Sequence, residues 1–140
     1  QTIPLFPLSG AILMPRGVLA LNVFEPRYLN MVDDVLGDHR LIGMVQPAAG
    51  EEDAATPALS SVGTVGRITG FSETEDGRYL ITLTGLCRFD TGEELDLRMP
   101  YRQVRATYDR FGDDLAEGAA VASLVLYADE VVDTEPAPVV

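Results

Sequence analysis

The sequence predicts a mainly β domain of the α+β class, with one helix inserted after the second strand and another near the C-terminus. Three observations carry that prediction. Thirteen glycines and nine prolines divide the chain, over its first hundred residues above all, into short pieces. Apolar residues alternate within several of those pieces. Asp76-Gly77 lies between two β-rich runs, where Gly accepts the positive φ of a primed hairpin turn. The 140 residues amount to one domain with an appendage. Residues 1–110 read as the β domain, 111–135 as the C-terminal helix and 136–140 as a tail.

The elements follow in order. Ile3 to Leu8 alternates apolar residues with Pro4 and Pro7, which places it at a sheet edge or in an extended lead-in, because proline lacks a ladder donor. Pro15-Arg16-Gly17 makes a turn. Val18 to Phe24 follows as a strand, with Val18, Ala20 and Asn22 on one side and Leu19, Leu21 and Val23 on the other. At Glu25-Pro26-Arg27 the period changes. Pro26 suits the first turn of a helix, and Tyr28, Val32 and Val35 recur at helical spacing up to a Gly37 C-cap, so a helix is expected over 26–36. Leu41 to Val45 reads as a short buried strand.

Residues 47–61 have no periodicity and predict a mobile loop. From Val62 two strands flank Asp76-Gly77. Tyr79, Ile81 and Leu83 share a face, and Gly85 bends or bulges the strand before Cys87 and Phe89. Tyr101 to Tyr108 is a further strand with Val104 and Ala106 turned inward. In the tail, Asp113 or Asp114 can cap a helix whose apolar stripe runs through Val121, Leu124, Val125, Ala128, Val131 and Val132.

Composition excludes more chemistry than any motif supplies. All ten basic residues are Arg. Without Lys there is no Walker A loop, no Ser-Lys dyad, no lysine Schiff base and no lysine-anchored pyridoxal phosphate. One cysteine, Cys87, excludes an internal disulfide framework and a cysteine-based zinc site. No apolar run approaches the roughly 18 residues of a membrane span. The N-terminus lacks the basic start of a signal peptide, so a cytoplasmic address is the expectation. A net charge of −12 repels nucleic acid and anionic membrane surfaces at long range.

The polar constellations have plainer explanations. His39, the single histidine, lacks the further N or S ligands of a zinc site and reads as a polar residue favoured near a helix C-terminus. Glu51-Glu52-Asp53 lacks the ligand spacing of a calcium loop. Gly63, Gly66 and Gly70 sit inside a strand pattern with no following Lys, so close packing or bulging explains them better than a phosphate loop. Ser60-Ser61 has no nucleophile-elbow frame. Cys87 reads as a small buried hydrophobe. No catalytic residue, cofactor or metal site is expected. Met14, before the Pro-Arg-Gly turn, is the methionine expected to be exposed.

Ile3-Pro4-Leu5-Phe6-Pro7-Leu8, then Pro15-x-Gly17, then Leu21-x-Val23-Phe24-Glu25-Pro26-Arg27-Tyr28 resemble the N-terminal domain of the Lon ATP-dependent protease family. Gly63-Thr64-Val65-Gly66-Arg67-Ile68, Asp76-Gly77-Arg78 and Gly85-Leu86-x-Arg88-Phe89 follow in the family's order, so the resemblance covers residues 3 to about 108. It implies a PUA-like twisted β-barrel with a helix after F-E-P-R-Y. It also implies a role in capturing unfolded or degron-bearing protein and in assembly. The segment from 113 would then begin a truncated helical lobe. The family's ATPase and Ser-Lys protease chemistry has no counterpart in these residues.

Structural roles are expected for the resembling positions. Phe24 and Tyr28 would pack the helix on the barrel, with Pro26 in its first turn. Glu25 would favour the helix N-terminus, and Arg27 would pair with an acidic neighbour. Arg88 and Phe89 would close the barrel after Gly85. The functional expectation is a non-catalytic module that binds extended or unfolded polypeptide, with a protease or chaperone as a further partner. Phe6, Met14, Leu19 and Leu21 would be the contact residues, on the first two strands at a proline-marked edge. The alternatives are an assembly module that dimerises through the C-terminal helix, and a PUA-like RNA binder using Arg98, Arg102 and Arg105, which the net charge disfavours.

Overall fold

The computed structural model describes residues 1–51, 54, 56–95 and 99–115. Along the chain come β1 (Thr2–Pro7), β2 (Val18–Val23), α1 (Pro26–Leu36), β3 (Leu41–Val45), β4 (Val62–Glu73), β5 (Tyr79–Leu95), β6 (Gln103–Thr107) and a 3-10 helix (Asp109–Leu115). The sheet order is β2-β5-β4-β3-β1-β6, and β6 also pairs with β5. Five strands therefore close on themselves, and β2 lies outside the ring. The long β5 makes this possible: its first part, Tyr79 to Thr84, pairs with β2, and its last part, Asp90 to Leu95, pairs with β6.

A strand of 17 residues must coil to do this. Register shifts between Val65 and Gly66, between Ile68 and Gly70, and between Thr91 and Glu94 supply the extra twist. At the first, Val65 pairs with Cys87 and Gly66 with Gly85, so Leu86 is the extra residue beside Gly85.

The edge assignment for the first strand is corrected. β1 lies between β3, with which it pairs parallel, and β6, with which it pairs antiparallel. Its prolines fit because the strand changes partner midway. Leu5 donates to Arg102 of the β6 side at 2.8 Å, and Leu8 donates to Val45 of β3 at 3.0 Å. Alternation then turns the nitrogen of Pro4 away from β6 and that of Pro7 away from β3, where neither ladder needs a donor.

Helix α1 buries Tyr28, Met31, Val32 and Val35, the i, i+3, i+4, i+7 stripe of an amphipathic helix. Its polar side is used too: Asp33 accepts the Tyr79 hydroxyl at 2.8 Å, and Asp34 accepts that of Tyr101. Gly37 caps the helix at φ −83°, so the left-handed turn into β3 falls instead to Arg40 at φ 64°. The hairpin turn also differs from expectation. Gly77 has φ 84° while Asp76 does not share it, so the turn is not the primed two-residue form. Thr74 and Arg78 close a longer loop by Thr74 N–H to Arg78 O at 2.9 Å.

Two apolar clusters fill the interior. One lies under α1 and includes Phe6, Leu19, Leu21, Met31 and Ile81; the other holds Ile3, Leu5, Val65, Cys87, Phe89 and Val104. The expected C-terminal apolar stripe, Val121 to Val132, lies outside the described residues. Asp114, expected as a helix cap, has its carboxylate engaged by Arg88.

Candidate functional site

The segment between β1 and β2 lies against Gly66 of β4 and Gly85 of β5, and its local sequence explains how. Gly10 takes φ 81° and Arg16 φ 65°, and Gly17 N–H closes a turn on Met14 O at 2.8 Å. Ala11 and Leu13 are buried, so the alternating Ile12 and Met14 face outward, 36% and 37% exposed. Two glycines let this segment approach the sheet. A Cβ on Gly66 would stand 2.7 Å from Leu13 Cδ2, and one on Gly85 would stand 2.0 Å from Met14 O.

Between this segment, the end of β3 and the start of β4 lies a cleft of about 260 Å³. Met14 and Ile12 form its rim and Met44 and Val45 its wall, and Gly63 lines it through its backbone. Among the described residues Arg88 is its one charged lining residue. That guanidinium is held in place: Nε and Nη2 donate to Asp114 at 2.8 Å each, and the group lies 4.7 Å over the Phe111 ring. The pairing holds the Asp114 carboxyl below the ordinary carboxylate range, chiefly through the Arg88 side-chain hydrogen bonds.

Among the described residues, groups capable of acid–base or nucleophilic work do not converge here. Ser60 lines the cleft, but the imidazole Nδ1 of His39 accepts the Leu41 amide at 2.9 Å, in the turn that leads into β3. Burial pushes the Cys87 thiol up, with the Asp114 charge adding to it, so Cys87 is the packed hydrophobe its setting implied. Among the described residues no three His, Cys, Asp or Glu side chains are grouped to hold a metal. Of the arginines in the RNA reading, Arg102 pairs with Glu94 at 2.7 Å and Arg105 with Glu93 at 3.3 Å, while Arg98 lies outside the described residues.

The four expected contact residues separate. Met14 is exposed at the cleft rim, whereas Phe6 and Leu19 are fully buried and Leu21 is 1% exposed. Those three are core residues, a correction with a simple cause. β1 is an interior strand, and the alternation of β2 turns Leu19 and Leu21 under α1. Phe24, expected to pack the helix on the barrel, is 45% exposed just after β2 and is not among the core residues. Tyr28 does face the core, stacked on Phe6 at 4.4 Å, with the Arg27 guanidinium 4.8 Å over its ring. Arg27 meets Glu25 at 3.5 Å, but Glu25 makes no side-chain cap bond. Phe89 is fully buried beneath Gly43 and Gly63. Ile12 was missed. The alternation of Ala11 and Leu13 with Ile12 and Met14, between Gly10 and Pro15, was the available signal.

The family model of the ATP-dependent protease La (LON) substrate-binding domain matches residues 2–134. The chain belongs to the Lon substrate-binding domain family. It is 33% identical over 138 residues to Lon protease of Anaeromyxobacter dehalogenans, covering 96% of this chain and 16% of that protein. Lon protease 2 of Myxococcus xanthus is 32% identical over 140 residues, which covers 97% of this chain and 17% of the relative. The chain thus spans about a sixth of the length of these relatives. Among solved structures, the Lon N-terminal domain protein from Xanthomonas campestris superposes with a TM-score of 0.62 at 28% identity, over 76% of this chain and 59% of that one. The mixed, mainly β Lon fold carries the cleft in a segment that this family match includes.

Proposed function

We propose that this Lon substrate-binding domain is a non-catalytic module that holds apolar stretches of extended or unfolded polypeptide in the cleft beneath Ile12 and Met14. The observation that carries the reading is the pair of outward apolar side chains on a rim whose neighbours Ala11 and Leu13 are anchored in the core. An unbranched thioether adapts to many apolar partners, and a module that accepts varied polypeptides needs that tolerance. Arg88, fixed by Asp114, supplies one oriented cation at the end of the cleft for a main-chain carbonyl or an acidic side chain. Delivery of the captured segment to a protease or chaperone partner in the cytoplasm completes the reading.

The test is binding of a fluorescently labelled, permanently unfolded protein, followed by anisotropy. Ile12→Asp with Met14→Asp should weaken binding about tenfold or more, since two desolvated carboxylates oppose an apolar ligand. The thermal midpoint should hardly move, because exposed positions contribute little to stability. Equal binding by wild type and double variant, or no saturable binding by wild type, rejects the reading.

A further inference from the structure

Among the described residues β2 is the end strand of the sheet, with β5 on one side and no strand on the other. The register fixes which groups it leaves unpaired. Gly85 N–H donates to Gly17 O at 2.8 Å, and Leu19, Leu21 and Val23 stand opposite Leu83, Ile81 and Tyr79. By the alternation of an antiparallel ladder, those odd residues bond to β5 and the backbone groups of Val18, Ala20 and Asn22 point outward. Among the described residues these outward groups have no hydrogen-bond partner.

Open edges are normally blunted by Lys, by Pro, by a bulge or by an inward charge. The strand VLALNV has none of these, and its six residues pair with β5 without a register shift. Val18 is 44% exposed on the outer face. At the same edge the Asn22 side chain is 8% exposed, and its Oδ1 is buried without a donor among the described residues. That acceptor is enclosed, so what the edge offers an incoming chain is its outward main-chain groups.

We infer that the free edge of β2 takes up a segment of extended polypeptide as an added strand, a contact that rests on the polypeptide-binding reading above. Main-chain pairing is indifferent to most side chains, so it suits a ligand defined by being unfolded. Charge selects this occupant over a second copy of the chain: two bodies of net charge −12 repel, whereas an uncharged or basic extended segment meets no such barrier. The edge and the cleft also start from one turn, because Met14 O lies against Gly85, the residue that pairs with Gly17 at the head of β2.

The experiment uses a labelled peptide of about ten residues, alternating Val and Thr with an Arg at each end, and the same peptide N-methylated at every second amide. Amide exchange of the whole chain with the plain peptide should show new protection at Val18, Ala20 and Asn22. The peptide methylated on its pairing side should bind about tenfold more weakly. Ala20→Pro, which removes an outward donor while leaving the β5 ladder intact, should weaken the plain peptide similarly. Where Ala20→Pro fails to fold, exchange and methylated peptide on the wild type decide alone. Equal affinity for both peptides without protection at β2 overturns the edge inference and leaves the cleft reading standing, while no binding of peptide or unfolded protein removes both. Protection of the same amides by self-association, seen by light scattering without peptide, makes a second copy the occupant and overturns the proposal.

Discussion

The carboxylate of Asp114 accepts three hydrogen bonds from one residue: the Arg88 backbone amide at 2.9 Å and its Nε and Nη2 at 2.8 Å. The contact clips the 3-10 helix to the middle of β5 and fixes the guanidinium at the end of the cleft. Asp114→Ala leaves that amide without its acceptor, an expected loss of about 2 kcal/mol. The guanidinium adds less, because its half-exposed charge is screened. Urea unfolding measures the loss. A variant as stable as wild type would show the clip to be energetically idle.

The same contact sets a pH dependence. The carboxyl titrates lower in the folded chain than in the unfolded one, with the Arg88 side-chain bonds as the main cause and the Arg88 amide contributing. A depressed folded value means that the unfolded state binds the proton first. The stabilisation is therefore complete above the ordinary Asp value of about 4 and is lost as pH falls through the folded value. Urea midpoints between about pH 6 and pH 2 should fall more steeply for wild type than for Asp114→Asn. Parallel slopes would contradict the assignment.

Gly63 sits where no side chain fits. A Cβ there would lie 2.6 Å from Met44 O and 2.7 Å from Cζ of the fully buried Phe89. Backbone cannot retreat as a flexible side-chain end can, so Gly63→Ala should cost about 1–3 kcal/mol by overpacking. The check is partial rescue: adding Phe89→Leu should recover part of the Gly63→Ala loss.

Local signals located the elements, and pairing decided what they could not. The helix over 26–36, the inward Val104 and Ala106 and the split faces of β2 follow from periods of 3.6 and 2, which single segments display. Pro4 and Pro7 misled because a proline is tolerated wherever its nitrogen faces no acceptor, and β1 meets that condition inside the sheet by switching from β6 to β3. The expectation of Phe6 at the surface follows from the same error, whereas β2 is an edge strand and Leu19 and Leu21 are buried because alternation turns them under α1. Met14 was legible from its turn. Arg88 was legible as a family position, but its tie to Asp114 spans 26 residues and depends on where the chain returns after β6.

The buried and exposed halves of the expected contact set make opposite predictions. Phe6 is fully buried and stacks on Tyr28 with ring centroids 4.4 Å apart, which joins β1 to α1. Phe6→Ala removes that stack and opens a cavity under the helix, so it should cost about 3–5 kcal/mol. Met14→Ala shortens a 37% exposed side chain and should stay within about 0.5 kcal/mol of wild type while weakening polypeptide binding. Paired urea and anisotropy measurements separate the two. If Phe6→Ala kept its stability and lost binding, Phe6 would be a contact after all and the cleft would be in the wrong place. If Met14→Ala unfolded the chain, the rim would be part of the core.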